Sequence, residues 1–257
     1  MNDASVLLIG HGSKDPATSR EFFDFVQQYQ DHGAKARAED IDCAFLELSE
    51  PLIPAALDRM AERGVKKIIA VPYLLFSAGH VKTEIPGILK EFGGAHPEIE
   101  IRYGDCLWPH DNLVELAKIR IHETLAAFPP SVQDQVDVLI VGRGATDPEA
   151  LAQFSEAAQK LQKEISCRSY RHCFIALAEP RYKDALPQML QEGSRRILIF
   201  PFYLFTGILV ERIKAQAQEM RARYPGADIK IAPYFGSHAL MFGMLKDKLN
   251  SKCGAGA

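Results

Sequence analysis

No apolar run in this chain approaches the roughly 20 residues that a helix needs to cross a bilayer, which sets aside a membrane-spanning protein. The opening residues, M-N-D-A-S, lack the basic segment and apolar core of a secretory signal. Cysteine is scarce. The five present (Cys43, Cys106, Cys167, Cys173, Cys253) form no C-x-x-C pair, and an odd number argues against a disulfide framework. An excess of charge of either sign is also missing. Thirty Lys and Arg against 33 Asp and Glu leave a net charge of -3, with no electrostatic case for nucleic acid or an anionic membrane surface. A cytoplasmic, reduced protein with neither nucleic-acid nor membrane partners is expected. Three nucleotide and nucleophile signatures are absent as well. There is no G-x-x-x-x-G-K-[ST], so no ATP is implied, and no G-x-S-x-G, so a hydrolase built on a nucleophile elbow is excluded. The first strand turn reads G-H-G-S and lacks G-x-G-x-x-G, which disfavours a dinucleotide-binding fold.

What is present begins at Val6–Ser13, V-L-L-I-G-H-G-S. A short apolar run stopped by glycine reads as a buried strand with a tight turn at its carboxyl end. Strands are expected at Val6–Ile9, Ile41–Leu48, Lys67–Leu75 and Ile99–Tyr103, with helices at Pro16–Lys35, Pro51–Arg63, Val81–Phe92 and Asn112–Phe128. Phe22, Phe25, Val26 and Tyr29 are spaced to share one helix face and read as core. Strands alternating with helices imply an α/β fold whose parallel sheet is covered on both faces. After a break at Phe128-Pro129-Pro130-Ser131 the pattern restarts. Asp137–Pro148 (D-V-L-I-V-G-R-G-A-T-D-P) restates Ser5–Pro16, His172–Pro180 restates Asp42–Pro51, and Arg195–Gly207 restates Lys66–Gly79. The chain is an internal duplication of a four-strand unit. Its expected parts are an active half at 1–128, a linker at 129–135 and a degenerate half at 136–257, with residues 251–257 frayed.

The second copy serves as a control on the first. His11 ends the first strand, Glu47 lies near the end of the second, and His80 follows the third. In the second copy Arg143 stands for His11, Leu177 for Glu47, and Ile208 or Leu209 for His80. All three changes remove ligand or proton-transfer capacity together. Two neutral imidazoles and a carboxylate suit a first-row divalent metal, and equally suit proton abstraction from a bound substrate. Glu50 and Glu179 precede proline in both copies and are expected to charge a helix amino terminus. His110 and His238 are shared, which points to a helix-start role. His32, His96, His122 and His172 are expected on solvated faces or loops.

G-H-G-S after the first strand, F-L-E-L-S-E-P on the second and L-L-F-S-A-G-H after the third resemble the sirohydrochlorin chelatases, class II chelatases that insert cobalt or iron. The resemblance spans the whole chain and matches the long form with the active half first. It implies two duplicated chelatase-like domains, each a four-stranded parallel sheet flanked by helices, with a cleft between them. It implies ATP-independent insertion of Co2+ or Fe2+ into sirohydrochlorin, for cobalamin or siroheme synthesis, with the ion as substrate and no tightly bound cofactor. The family's metal-binding histidines fall on His11 and His80 and its carboxylate on Glu47. Gly10, Gly12, Ser13, Lys14, Ser77 and Gly79 are expected to supply donors to the acidic macrocycle. Arg143, placed by pseudo-symmetry on the opposite rim, is expected to grip a carboxylate arm. Fusing two copies can replace a homodimer, so a monomer is expected. The rival reading is a non-catalytic metal or tetrapyrrole carrier. The histidine-rich tail and iron–sulfur motif of the longer cobalt-inserting members are missing, so no choice between cobalt and iron follows.

Overall fold

A computed structural model describes residues 4–33 and 41–253. In the first part of the chain, β1 (Ala4–Gly10), β2 (Ile41–Phe45), β3 (Lys67–Pro72) and β4 (Glu100–Tyr103) form a parallel sheet of order β2-β1-β3-β4. Leu7, Leu8 and Ile9 of β1 are all fully buried, as a strand sandwiched between helical layers requires. On one face Leu7, Ile9 and Ala70 pack with Ile53, Leu57 and Met60 of α2 (Ile53–Glu62) and with Ile85 and Leu89 of α3 (Ile85–Ala95). On the other lie the aromatics of α1 (Pro16–Gly33). Phe25 meets Tyr73 at 4.7 Å between ring centroids, and Phe22 meets Phe45 at 5.3 Å. Phe22, Phe25, Val26 and Tyr29 are all buried, as their spacing predicts.

A second sheet repeats the first. It comprises β5 (Asp137–Gly142), β6 (Ser169–Phe174), β7 (Arg196–Pro201) and β8 (Asp228–Ile231), in order β6-β5-β7-β8 and all parallel. Its core gathers Leu139, Val141, Ile197 and Ile199 with Tyr182 and Leu186 of α6 (Tyr182–Gln191) and Ile213 of α7 (Ile208–Arg223). Asp137, fully buried, accepts from Arg168 Nε at 2.8 Å and Ser169 Oγ at 2.6 Å. In the first sheet Ser5 begins the corresponding strand run.

The compact units do not follow the boundaries of the sequence repeat. One comprises Met1–Trp108 with Ser237–Ala257, and the other Pro109–Gly236. Helix α4 (Asp111–Leu125), the last of the first repeat, packs on β7 and on α5 (Pro148–Glu164), where Lys118 pairs with Glu164 at 3.4 Å. Helix α8 (Ala239–Cys253), the last of the second repeat, packs on β3, and its Phe242 lies 5.3 Å from Phe25. The reason is physical. An amphipathic face such as Leu113, Leu116 and Ile121 must be covered, but periodicity does not name the sheet that covers it.

Element ends differ from the sequence reading where loops turn sharply. Strand β2 stops at Phe45 rather than Leu48, because Leu46 and Glu47 turn to donate their amides to Gly10 and His11. Helix α2 starts at Ile53 rather than Pro51, after a cis Glu50–Pro51 bond and a bridge between Phe45 and Leu52. Residues 251–253 are helical, so α8 runs on to Cys253. The expectation for 254–257, and for the end of the first helix beyond Gly33, lies outside the described residues.

Candidate metal centre

In the first unit the carboxyl ends of β1, β2 and β3 lie at one edge of the sheet, as the parallel register of Gly10 with Phe45 and Ile9 with Pro72 dictates. Strand order reverses between β1 and β3, and open α/β sheets bind their ligands outside such a switch point. His11 follows β1 and His80 follows β3, so the two imidazoles flank the reversal. Glu47 comes from the loop after β2. Its amide donates to His11 O at 3.1 Å, which ties that loop to the histidine turn.

Gly12 makes this close approach possible. Its φ is +91°, and a Cβ there would fall 1.6 Å from Glu47 O. No side chain fits. The loop is pinned further by serines. Ser13 N donates to Ser49 Oγ at 2.9 Å, Ser49 Oγ donates to Ser13 O at 3.0 Å, and Ser19 Oγ donates to Ser49 Oγ at 2.8 Å. The Ser13 amide, expected as a substrate donor, is therefore engaged within the loop, and Ser13 Oγ accepts from Asp15 N at 3.0 Å.

His80 opens a π-turn, His80–Glu84, that leads into α3, and the amide of Ile85 donates to His80 O. Such turns are rare and often mark functional sites. In the second unit α7 starts at Ile208 as a regular helix, and the loop before it is one residue shorter. The first unit takes up its extra residue beside the histidine.

One candidate ligand atom each from His11, Glu47 and His80 lies within 4.8 Å of the others. The imidazoles meet edge to face, 5.0 Å between centroids, and His11 Nδ1 is 3.7 Å from Glu47 Oε1. Imidazole and carboxylate bonds of about 2.0–2.2 Å put neighbouring donors on one ion roughly 3–3.5 Å apart, so a closure of about an ångström would seat all three. His11 and His80 are about a quarter and a third exposed, and Glu47 is half exposed, so an ion can enter and leave. Glu84, which the sequence reading missed, brings Oε1 to 2.9 Å from His80 Nδ1, off the direction of a hydrogen bond. Its signal was the i,i+4 spacing to His80.

The second unit aligns by its own hydrogen bonds. Ile175 and Ala176 donate to Gly142 O and Arg143 O just as Leu46 and Glu47 donate to Gly10 O and His11 O. Leu48 and Leu177 share φ values of +63° and +61°. The counterpart of Glu47 is therefore Ala176. Leu177, expected in that role, matches Leu48 instead, because spacing alone left the register one residue adrift. The carboxylate is absent from either position. Arg143 is exposed, and Asp147 turns its carboxylate to cap α5, accepting from Glu149 N at 2.8 Å. Ser77 is half-buried, and Gly79 caps the π-turn with open space around it. Lys14 is exposed.

Other expectations resolve locally. His110 Nδ1 caps α4 by accepting from Asn112 N at 3.2 Å, and His238 Nδ1 accepts from Leu240 N at 3.2 Å, as their shared placement implies. Glu50 serves the turn before α2, accepting from Leu52 N at 3.0 Å. His172 is not on a solvated face. It sits in β6, 5.7 Å from Phe154 and 6.0 Å from Phe174, and burial lowers its pKa. His96 stacks on Phe92 at 4.4 Å.

The family model CbiX matches the chain twice, over residues 5–124 and 137–252. A sirohydrochlorin cobaltochelatase of Priestia megaterium is 26% identical over 95% of this chain and 78% of its own length. A sirohydrochlorin ferrochelatase of Bacillus subtilis is 26% identical over 91% of this chain and 86% of its own. Among solved structures, SirB from Bacillus subtilis with Fe3+ superposes with a TM-score of 0.81 at 25% identity, over 98% of this chain and 96% of that one. Among the described residues no helix is long and apolar enough to cross a membrane.

Proposed function

Because the chain belongs to the CbiX family, we propose that it is a sirohydrochlorin chelatase, inserting Co2+ or Fe2+ into the tetrapyrrole without ATP. One observation carries the reading. His11, Glu47 and His80 converge at the switch point of the first sheet, and the second unit has Arg143, Ala176 and an apolar residue in their places. Insertion exchanges two pyrrole protons for one divalent ion. The ion must be held by few enough groups that four ring nitrogens can replace its remaining ligands. Two imidazoles and one carboxylate leave such positions open.

In this reading His11 and His80 hold the ion and Glu47 orients it or takes a pyrrole proton. Solvent access at Glu47 gives that proton a way out. Lys14, Ser77, the backbone at Gly12 and Gly79, and Arg143 of the second unit serve the acidic macrocycle, whereas Gly10 is buried in β1 with its carbonyl held by Leu46 N and the Ser13 amide is held by Ser49. Arg143 makes no ion pair among the described residues, and its planar fork suits a carboxylate.

The test is anaerobic absorbance of sirohydrochlorin mixed with Co2+ or Fe2+, with and without the protein. Faster formation of the metallated spectrum with protein supports the reading. Rates that the protein leaves unchanged with either ion would refute it.

A further inference from the structure

Beside the metal centre, between the loops that follow β1 and β2, an open groove runs along the start of α1. The serine chain of Ser13, Ser49 and Ser19 forms part of its lining, and Lys14, Pro16, Arg20, Phe23 and Leu48 line the rest with Glu50. Leu48 directly follows Glu47, and Lys14 lies three residues past His11, so the groove and the metal centre are built from the same two loops. Phe23 and Leu48 are 39% and 51% exposed, an apolar surface that water covers poorly. Lys14 and Arg20 have no hydrogen bond or ion pair with any described residue. Glu50 is the one acid on the lining, and its Oε2 is turned to Leu52 N.

The duplication again supplies the comparison. Phe22 and Phe154 occupy the same place, each packed against the glycine that ends the first strand of its unit, Gly10 or Gly142. From that anchor, Ser13, Lys14, Ser19, Arg20, Phe23 and Ser49 correspond to Ala145, Thr146, Leu151, Ala152, Ser155 and Ala178. The second unit keeps the core phenylalanine, the positive-φ leucine and the glutamate before proline. It has neither cation, none of the three groove serines and no exposed ring. These features are present and absent together with the metal ligands, which fits a surface that works with them.

We propose that this groove is a binding subsite for the carboxylate arms of the tetrapyrrole. Arg20 and Lys14 pair with the arms, and Phe23 and Leu48 lie against the apolar edge of the macrocycle. The assignment rests on the chelatase reading above. Two cations and one acid, with apolar walls, fit an anionic ring system better than a bare metal ion, which both cations repel. Arg20 gives directional, two-point pairing, and Lys14 adds charge.

The experiment is an anaerobic titration of the full chain with metal-free sirohydrochlorin, followed by absorbance and repeated with Co2+ alone. R20A should weaken tetrapyrrole binding about threefold to tenfold, and K14A/R20A by about tenfold or more, as exposed but charge-assisted pairs do. R20K should restore part of the loss, and Co2+ affinity should not change. Wild-type binding that survives intact in R20A and K14A/R20A would overturn the groove assignment alone. Failure of the wild-type chain to bind sirohydrochlorin would overturn the chelatase reading and the groove with it. Equal weakening of Co2+ and tetrapyrrole binding in R20A would also overturn the assignment, by making Arg20 a support of the metal loop.

Discussion

Single residues divide the labour at the metal centre. Glu47 is half exposed and 3.7 Å from His11 Nδ1, close enough to share an ion and open enough to pass a proton to water. If proton acceptance is its main task, Glu47→Gln should slow metallation at least tenfold while Co2+ affinity falls less than threefold, since an amide oxygen can still ligate but cannot take the proton. Parallel measurement of single-turnover rate and Co2+ affinity separates the roles, and a large loss of affinity with little loss of rate would make Glu47 a ligand first. Gly12 makes a different demand. Its positive φ and the carbonyl of Glu47 behind it leave no room for a methyl group, so Gly12→Ala should lower stability by about 1–3 kcal/mol and disperse the three ligands. Thermal unfolding with a Co2+ titration checks both, and an unchanged Tm with intact metal binding would contradict the geometry. The histidines were legible from sequence because each sits beside glycine at a strand end and vanishes in the second copy. Glu84 was not, because an acid four residues from a histidine is usual on any solvated helix.

At the level of elements, the two units share a topology but differ in how each is secured. In the second, Asp137 is buried at the first position of β5. Burial raises its pKa, but hydrogen bonds from Arg168, Ser169 and Ser194 more than offset that and hold the carboxylate below its ordinary value. A depressed native pKa adds stability that is complete above the unfolded-state value of about 3.9 and is lost as pH falls through the native one. Removing the charge by Asp137→Asn should therefore cost about 1–3 kcal/mol at pH 7, and the difference from wild type should shrink as the pH is lowered below about 4. Urea unfolding at pH 7 and pH 3 tests the sign, and a penalty that grew on acidification would contradict it. Strand and helix existence was legible throughout, since apolar runs and 3.6-residue periodicity carry it. Their ends were not. Residues 46–52 have strand and helix composition, yet the chain spends them on a loop that binds the histidine turn, with Leu48 at positive φ. The π-turn at His80 was equally hidden, because one extra residue between similar motifs reads only as a gap.

For the molecule as a whole, the duplication was plain in sequence but the assembly of the units was not. The last helix of each repeat packs on the sheet of the other, so α8 completes the first unit with Phe242 against Phe25 and Tyr29. Truncation after Gly236 should then strip amide protection from β1 and β3, although the lost residues belong to the second repeat. Hydrogen exchange would show it, and protection lost only in β5 and β7 would contradict the exchange of helices. In the chelatase reading, one unit of the duplicated pair performs metal insertion through His11 and His80. That role is tested most directly by single-turnover metallation of sirohydrochlorin by wild type, His11→Ala, His80→Ala and Arg143→Ala, each first matched for thermal stability. Either histidine variant should fall to the rate of the uncatalysed reaction with its fold intact, since both side chains lie at the carboxyl edge of the sheet and outside its apolar core. Arg143→Ala should keep the metallation rate at saturating tetrapyrrole and lose only apparent affinity for it. Near-normal turnover in a stably folded His11→Ala or His80→Ala protein would contradict the role of the histidines.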